Sequence, residues 1–428
     1  MLRSFKMFGT LFARKFASSQ LAHCGNQRKS RVTSYSKNSV LVVGDDMRIF
    51  LSIVRSLGAI GINVHAFPFC PDAPAMKSRF INHVHQAPAF ERDPVAWRKA
   101  LVELLTKQAF DLVIPTGDAA IMALHVNLHV LSQCRLAIPQ AAAIEALFDK
   151  EQTHILCDSL DIKTAPWLRL SDFDTSDSLT SRFGIPLVIK PRRSFEDDNG
   201  KLHGKVEIVE TSKELNTCLA AISDRKRFLV EGYFRGSGTG VSVLCTNGTI
   251  LQAFQHRRLR EGRGGCSSYR ISEVVNPELR RAAESICKKL NHSGVCMFEF
   301  RVNQETGDWI LLEVNARFWG SMPLPLSLGL DYPKLLFDLL VHGKSGPEQS
   351  YTIGVRSRNI LLDANNLLQQ FRHGGFRGLG NWYRDMFDFT MQPVRWIAGL
   401  EKADSFRFDD MTPVYREIIA AIRQVFSR

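Results

Sequence analysis

What this 428-residue sequence lacks narrows its function first. Its nine cysteines form no C-x-x-C pair, fall into no metal-ligand rhythm with histidine and are odd in number. That excludes a disulfide framework and a structural zinc, and points to a reduced, cytoplasmic setting. No run of eighteen apolar residues occurs, so a spanning helix is excluded. No G-x-G-x-x-G follows Gly44, which removes a dinucleotide fingerprint. Acidic residues are missing from positions 1–44, which hold eight Lys or Arg and leave only +4 of the net +12 for the rest of the chain. The basicity is therefore largely a tail, and with no aromatic-basic motif or zinc module elsewhere nucleic-acid binding has no support. The tail's composition is that of an organelle transit peptide. A disordered leader over 1–38, or an artefact of start-codon choice, accounts for it as well and is preferred.

What is present begins with alternating strand and helix signals. SVLVVG (39–44), INVHAF (62–67) and FDLVIPTGD read as buried strands, with the helix-like MRIFLSIVRSLGAI between the first two. Such βαβ order implies a doubly wound parallel sheet over 39–145. Its loop Pro115-Thr116-Gly117-Asp118 lies at a strand end, where it either faces a ligand or caps the next helix. From Phe148-Asp149-Lys150 a second region follows: a helix, the strand IPLVIKP ending on Lys190, a polar loop with Glu196, Asp197, Asp198, Gly200 and Gly204, and a strand and helix. RFLVEGYFRG ends a further strand at Glu231, and TGVSVLCTNGTILQAFQHRR reads as a hairpin across Asn247-Gly248.

The stretch LLEVNAR then places Glu313, Asn315 and Arg317 in alternation, so they share one strand face. The preceding strand, GVCMFEFRV, carries Glu299 across an Asn-, Asp- and Gly-rich turn, so the two carboxylates can face each other. Paired carboxylates in an apolar setting call for a cation between them, and hard oxygen donors suit magnesium, with phosphate as co-ligand. Arg317 would meet an anion bidentately. The structural alternative is a Glu–Arg ion pair at a sheet edge.

The order Lys150, Lys190, Glu231, Glu299, Glu313-x-Asn315-x-Arg317, together with VEGYFRGSGTGVSVL, FQHRRLREGRGGCSSYR and LLEVNARFWGSMPLPLSLGLDYP, resembles the ATP-grasp superfamily, and within it the carbamoyl-phosphate-synthase-like proteins. The resemblance spans about 39–345 and implies an α/β architecture: the N-terminal doubly wound domain, a two-lobed ATP-grasp fold over 146–345 with its small lobe at about 165–235, and a mainly helical extension over 346–428. It implies that Lys150 and Lys190 contact ATP phosphates, that Val230, Glu231, Gly232 and Tyr233 form the adenine hinge, and that Glu299, Glu313 and Asn315 bind magnesium, with manganese as a substitute. Arg317 and Lys190 are the implied catalytic groups. His256, Arg258, Gly265 and Ser267 are the implied substrate side. The activity implied is an ATP-dependent ligase joining a small-molecule carboxylate to an amine through an acyl phosphate, and a homodimer is admitted. A regulatory nucleotide-binding protein that kept the fold and lost turnover is the alternative. In the extension, Trp382, Tyr383, Phe387 and Trp396 form either a partner or membrane-surface face or a packing stripe.

Overall fold

The computed structural model describes residues 35–193, 206–262, 267–373 and 375–426. The first 34 residues of the leader, the loop bearing Glu196, Asp197 and Asp198, and Gly265 lie outside the described residues. Residues 35–38, assigned above to a disordered leader, belong to the folded body: Tyr35 donates to Asp338 at 2.8 Å and its ring lies against Phe337.

The N-terminal unit is a four-stranded sheet of β1 (Ser39–Val43), β2 (Asn63–Phe67), β3 (His83–Val84) and β4 (Leu112–Pro115), in the order β3-β2-β1-β4 with every pairing parallel. Near-continuous apolar runs make such strands, because helices cover both faces. One face packs on α1 (Ile49–Ala59), whose Phe50, Ile53, Val54 and Leu57 are buried. The other packs on α2 (Pro94–Lys107) through Trp97, Leu101 and Leu105. At the end of β4 the chain turns into α3 (Asp118–His125), then α4 (Ala141–Leu147) and α5 (Lys150–Asp158), where Asp149 caps by accepting from the Glu151 amide.

The small lobe is an antiparallel sheet of β5 (Trp167–Arg169), β6 (Leu187–Pro191), β7 (Glu207–Val209) and β8 (Phe228–Gly232), ordered β5-β8-β6-β7. Helices α6 (Ser176–Phe183) and α7 (Ser212–Ala221) close its core through Leu179, Leu215 and Leu219. The large sheet holds β9 (Ser237–Thr246), β10 (Thr249–Glu261), β11 (Ser267–Glu273), β12 (Gly294–Val302) and β13 (Trp309–Asn315). Asn247 and Gly248, both at positive φ, make the two-residue turn between β9 and β10. Helix α8 (Pro277–Lys289) buries Leu279, Ala283 and Ile286 on one sheet face. The opposite face shares a core with the N-terminal unit, where Phe254, Met297, Phe318 and Trp319 meet Val40, Val42 and Phe50. The short α9 (Pro323–Ser327) and α10 (Tyr332–His342) belong to that shared core.

The region from 346 on is not merely a helical appendage. Besides α11 (Ile360–His373), α12 (Gly375–Thr390), α13 (Gln392–Ile397) and α14 (Thr412–Phe426), it supplies β14 (Arg356–Arg358) and β15 (Glu401–Ala403), extending the large sheet to β13-β12-β9-β10-β11-β14-β15. Two three-residue strands carry too little periodicity to stand out in the sequence. They are fixed by ion pairs: fully buried Arg358 bonds Asp363 at 2.5 Å, Glu401 at 2.7 Å and Asp388 at 2.9 Å, beneath the Tyr269 ring. The extension also reaches back to the N-terminal unit, where Arg55 donates to Asp410 at 2.8 Å. Trp382 packs, its indole donating to Leu367 O at 3.1 Å, whereas Tyr383 and Phe387 are exposed and Trp396 stacks on Phe408. Among the described residues no helix is long and apolar enough to cross a membrane.

Candidate active site

The site gathers where three pieces of this architecture meet: the edge of the large sheet, the inner strands of the small lobe and the C-terminal end of β4. Antiparallel register sets Glu299 of β12 directly opposite Glu313 of β13. Two carboxylates so placed repel each other. Asn315 relieves that repulsion by directing its amide NH2 to Glu299 Oε1 at 3.3 Å and Glu313 Oε1 at 3.1 Å. The two acids differ in environment. Burial pushes the Glu299 carboxyl up, and the Arg258 guanidinium bonded to it offsets only part of that rise. Burial acts on Glu313 too, but Lys150, the Asn315 hydrogen bond and Lys190 outweigh it and hold its carboxyl below the usual range. Lysines thus favour the ionised form of Glu313, whereas at Glu299 the arginine only partly offsets burial.

Lys190 closes β6, and its ammonium pairs with Glu231 of β8 while lying 3.4 Å from Leu312 O. Glu231 is buried, and the same oxygen, Oε1, meets His154 Nε2 at 2.5 Å. Burial raises the Glu231 carboxyl, yet Lys190 and His154 bring it below its ordinary value. His154, on α5, stacks on Trp167 with ring centroids 4.9 Å apart. It carries no sequence signal, since a lone histidine in HILCD belongs to no motif. Lys150 opens the same helix; burial lowers its ammonium, and Glu313 opposes that shift.

The hinge residues lie in and just beyond β8. Val230 is a core residue of the small lobe, and β8 runs between β5 and β6, so its backbone is engaged as far as Gly232, whose amide donates to Pro166 O. Tyr233 follows the strand and is exposed.

The basic segment of β10 divides. His256 and Arg258 share one face, and Arg257 points to the other, where it binds Glu273 at 2.5 Å. Gly240 and Gly238 of β9 make room for them: a Cβ on Gly240 would lie 2.3 Å from His256 Cε1, and one on Gly238 would lie 2.6 Å from Arg258 Cδ. His256 is nonetheless 1% exposed, packed beside Phe254. Burial, with Arg258 and Arg270 adding to it, holds the ring neutral. Its burial places it behind the surface of the site, where Arg258 rather than His256 presents a polar group. A β-bulge between Arg258 and Arg260 turns Arg260 away, into Asp363 at 2.5 Å. Ser267, buried, begins β11 opposite Glu261.

Arg317 follows β13, and its Nε donates to Asp118 Oδ1 at 2.5 Å. Burial works against its charge, but Asp118 outweighs it and raises the guanidinium further. Asp118 is the first residue of α3 and caps nothing, so the Pro115–Asp118 loop faces the site instead of only starting a helix. The pairing joins residues 199 apart in sequence, which is why strand alternation alone did not reveal it. The donor set fits a hard cation. Two carboxylate oxygens and, after a turn of its amide, the Asn315 carbonyl oxygen suit magnesium in number and kind, while among the described residues no group of three His, Cys, Asp or Glu offers a softer or all-protein site.

Comparison with known proteins agrees with this geometry. Residues 224–360, which hold Glu231, Glu299, Glu313, Asn315 and Arg317, match the family described as ATP-grasp in the biosynthetic pathway with Ter operon. Over this segment the chain is similar to ATP-grasp proteins. It is 22% identical over 335 residues to a D-aspartate ligase of Enterococcus faecium, covering 73% of this chain and 78% of that one. To the carbamoyl phosphate synthase large chain of Haemophilus ducreyi it is 23% identical over 61% of this chain, but it spans only 24% of that relative's length. The fold matches N5-carboxyaminoimidazole synthetase from Staphylococcus aureus, solved with ADP, at a TM-score of 0.57 and 17% identity, over 74% of this chain and 80% of that one. In this ATP-grasp frame the five residues from Glu231 to Arg317 lie inside the matched segment, while Lys150, His154, Lys190 and Asp118 precede it.

Proposed function

We propose that this protein is an ATP- and magnesium-dependent ligase of ATP-grasp type that activates a carboxylate as an acyl phosphate and passes the acyl group to an amine or similar nucleophile, releasing ADP and phosphate. One observation carries the reading: two half-buried carboxylates and an amide converge beside two buried lysines and an arginine, a costly arrangement unless a cation and an anion both come there. Glu299, Glu313 and Asn315 would hold magnesium, which when bound supplies charge neutralisation on phosphate oxygens. Manganese takes the same donors. Lys150 and Lys190 bind and orient the phosphates, with Glu231 and His154 fixing Lys190. Tyr233 borders the adenine. Arg317, set by Asp118, holds the reacting carboxylate with a planar fork that stabilises charge as the phosphoryl group moves to it. Arg258, placed between Glu299 and Glu261, can pass from a protein carboxylate to a substrate oxygen.

The D-aspartate ligase relative supports an amino acid as one substrate. A screen for ADP release, with purified protein, ATP and magnesium against pooled amino acids, other carboxylates and amines, tests the proposal. ADP formation that needs both a carboxylate and magnesium is expected; substrate-independent ATP binding without turnover would favour a regulatory protein instead.

A further inference from the structure

A cavity of ≈ 330 Å³ lies along the edge of β13, with Glu313 and Asn315 on one side and α3, α4 and the start of α5 on the other. It is amphipathic. Lys150 and Glu313 mark one end, whereas Met122, Ile144, Leu147, Phe148 and Val314 line the body. At the rim stand Asp118 and the exposed Glu145, and the buried Nδ1 of His125, which also lines the cavity, has no hydrogen-bond partner among the described residues. A space of this size stands at the small end of ligand pockets, which run from about 300 Å³ upward, and accommodates one amino acid.

Building on the ligase reading, we infer that this cavity receives the carboxylate substrate, and that the substrate is an α-amino acid with an apolar side chain. The carboxylate turns to the metal-binding end, toward the Arg317 fork and the phosphates that Lys150 orients, where phosphoryl transfer takes place. An α-ammonium meets the acidic rim of Asp118 and Glu145, and the side chain displaces water from the apolar wall. An acidic side chain would lie against Ile144, Leu147 and Phe148, where an unpaired charge is costly, and Arg193, which also lines the cavity, is already bonded to Asp149 at 2.9 Å. The specificity therefore differs from that named for the D-aspartate ligase relative.

The test uses the full chain with magnesium and a non-hydrolysable ATP analogue. Calorimetric titration compares D- and L-leucine with D- and L-aspartate, and ADP release is measured in parallel with ATP. One leucine enantiomer is expected to bind about tenfold or more tighter than either aspartate, the factor that burial of an aliphatic side chain contributes. Met122→Trp, which fills the cavity, should weaken leucine by about the same factor and leave the nucleotide analogue's affinity unchanged. Met122→Ala only removes atoms, so it keeps the question open to test if the larger residue disturbs folding; it should weaken leucine severalfold. Tighter binding of aspartate, or leucine binding indifferent to both Met122 variants, overturns the inference. ADP release driven by acidic carboxylates, with no leucine binding, overturns the cavity assignment and leaves the ligase reading standing. No ADP release with any carboxylate overturns that reading, and the inference with it.

Discussion

Replacing Glu231 with Gln tests the small-lobe half of the site. Lys190 and Glu231 have side chains only 6% and 4% exposed, so each is the other's replacement for water. Gln keeps the shape and removes the charge, leaving the Lys190 ammonium buried without its carboxylate. Breaking one side of a buried pair typically costs roughly 3–5 kcal/mol. At about 2–4 °C per kcal/mol for a cooperative unit of 150–250 residues, the melting temperature should fall by roughly 6–20 °C. Lys190→Met should cost less, because His154 still bonds Glu231. The double variant should be more stable than the sum of the two losses, since it buries no unpaired charge. Glu231 also sets a pH dependence. Its folded carboxyl titrates below its unfolded value, so its contribution is present above the ordinary carboxylate range and fades as pH falls through the folded value. The gap between parent and Glu231→Gln should therefore close on acidification. Thermal melts at several pH values, with ATP affinity on the same preparations, provide the assay. An unshifted melt at pH 7, or strict additivity in the double variant, would refute this account of Lys190.

Other consequences concern the remaining parts of the site. Asp118→Asn should leave ATP affinity near the parent's and lower turnover, as should Arg317→Lys, which keeps the charge but loses the fork; one donor lost from a transition state is worth about a hundredfold in rate. If either variant loses stability and keeps its rate, the Asp118–Arg317 pair is scaffolding. Glu299→Gln should abolish ADP formation and lower the melting temperature less than Glu231→Gln, because burial already disfavours the Glu299 carboxylate and Glu261 still faces Arg258 at 3.8 Å; a loss as large as that of Glu231→Gln would mean that its pairing with Arg258 is structural. In the extension, Arg358→Met should destabilise the protein severely by orphaning Asp363 and Glu401, and an unchanged melt would show that β14 and β15 do not hold the sheet together.

Much of this was legible in the sequence because it is local. Buried parallel strands read as apolar runs, the Asn247-Gly248 turn announced its hairpin, and period-two alternation placed Glu313, Asn315 and Arg317 together. A strand-end lysine at 190 stood out because charge rarely follows a buried run. What escaped is what only the fold brings together. His154 becomes a partner of Glu231 through packing of α5 on the small lobe. Asp118 finds Arg317 across two structural units. The bulge at Arg258 and Arg260 breaks the alternation that would otherwise place both on one face. His256 was legible as a residue of the segment but not as buried, since burial depends on the glycine opposite it. Strands β14 and β15 are held by long-range ion pairs, which leave no periodic trace.

The proposed metal ligands are Glu299, Glu313 and Asn315. Titrating magnesium against ADP production in the parent and in Glu313→Gln, with circular dichroism on both, tests whether they hold the metal for a phosphoryl transfer. The account predicts saturable magnesium dependence in the parent, and no ADP at any magnesium concentration in a variant with an unchanged spectrum. Full ADP production by Glu313→Gln at the parent's magnesium requirement would contradict it.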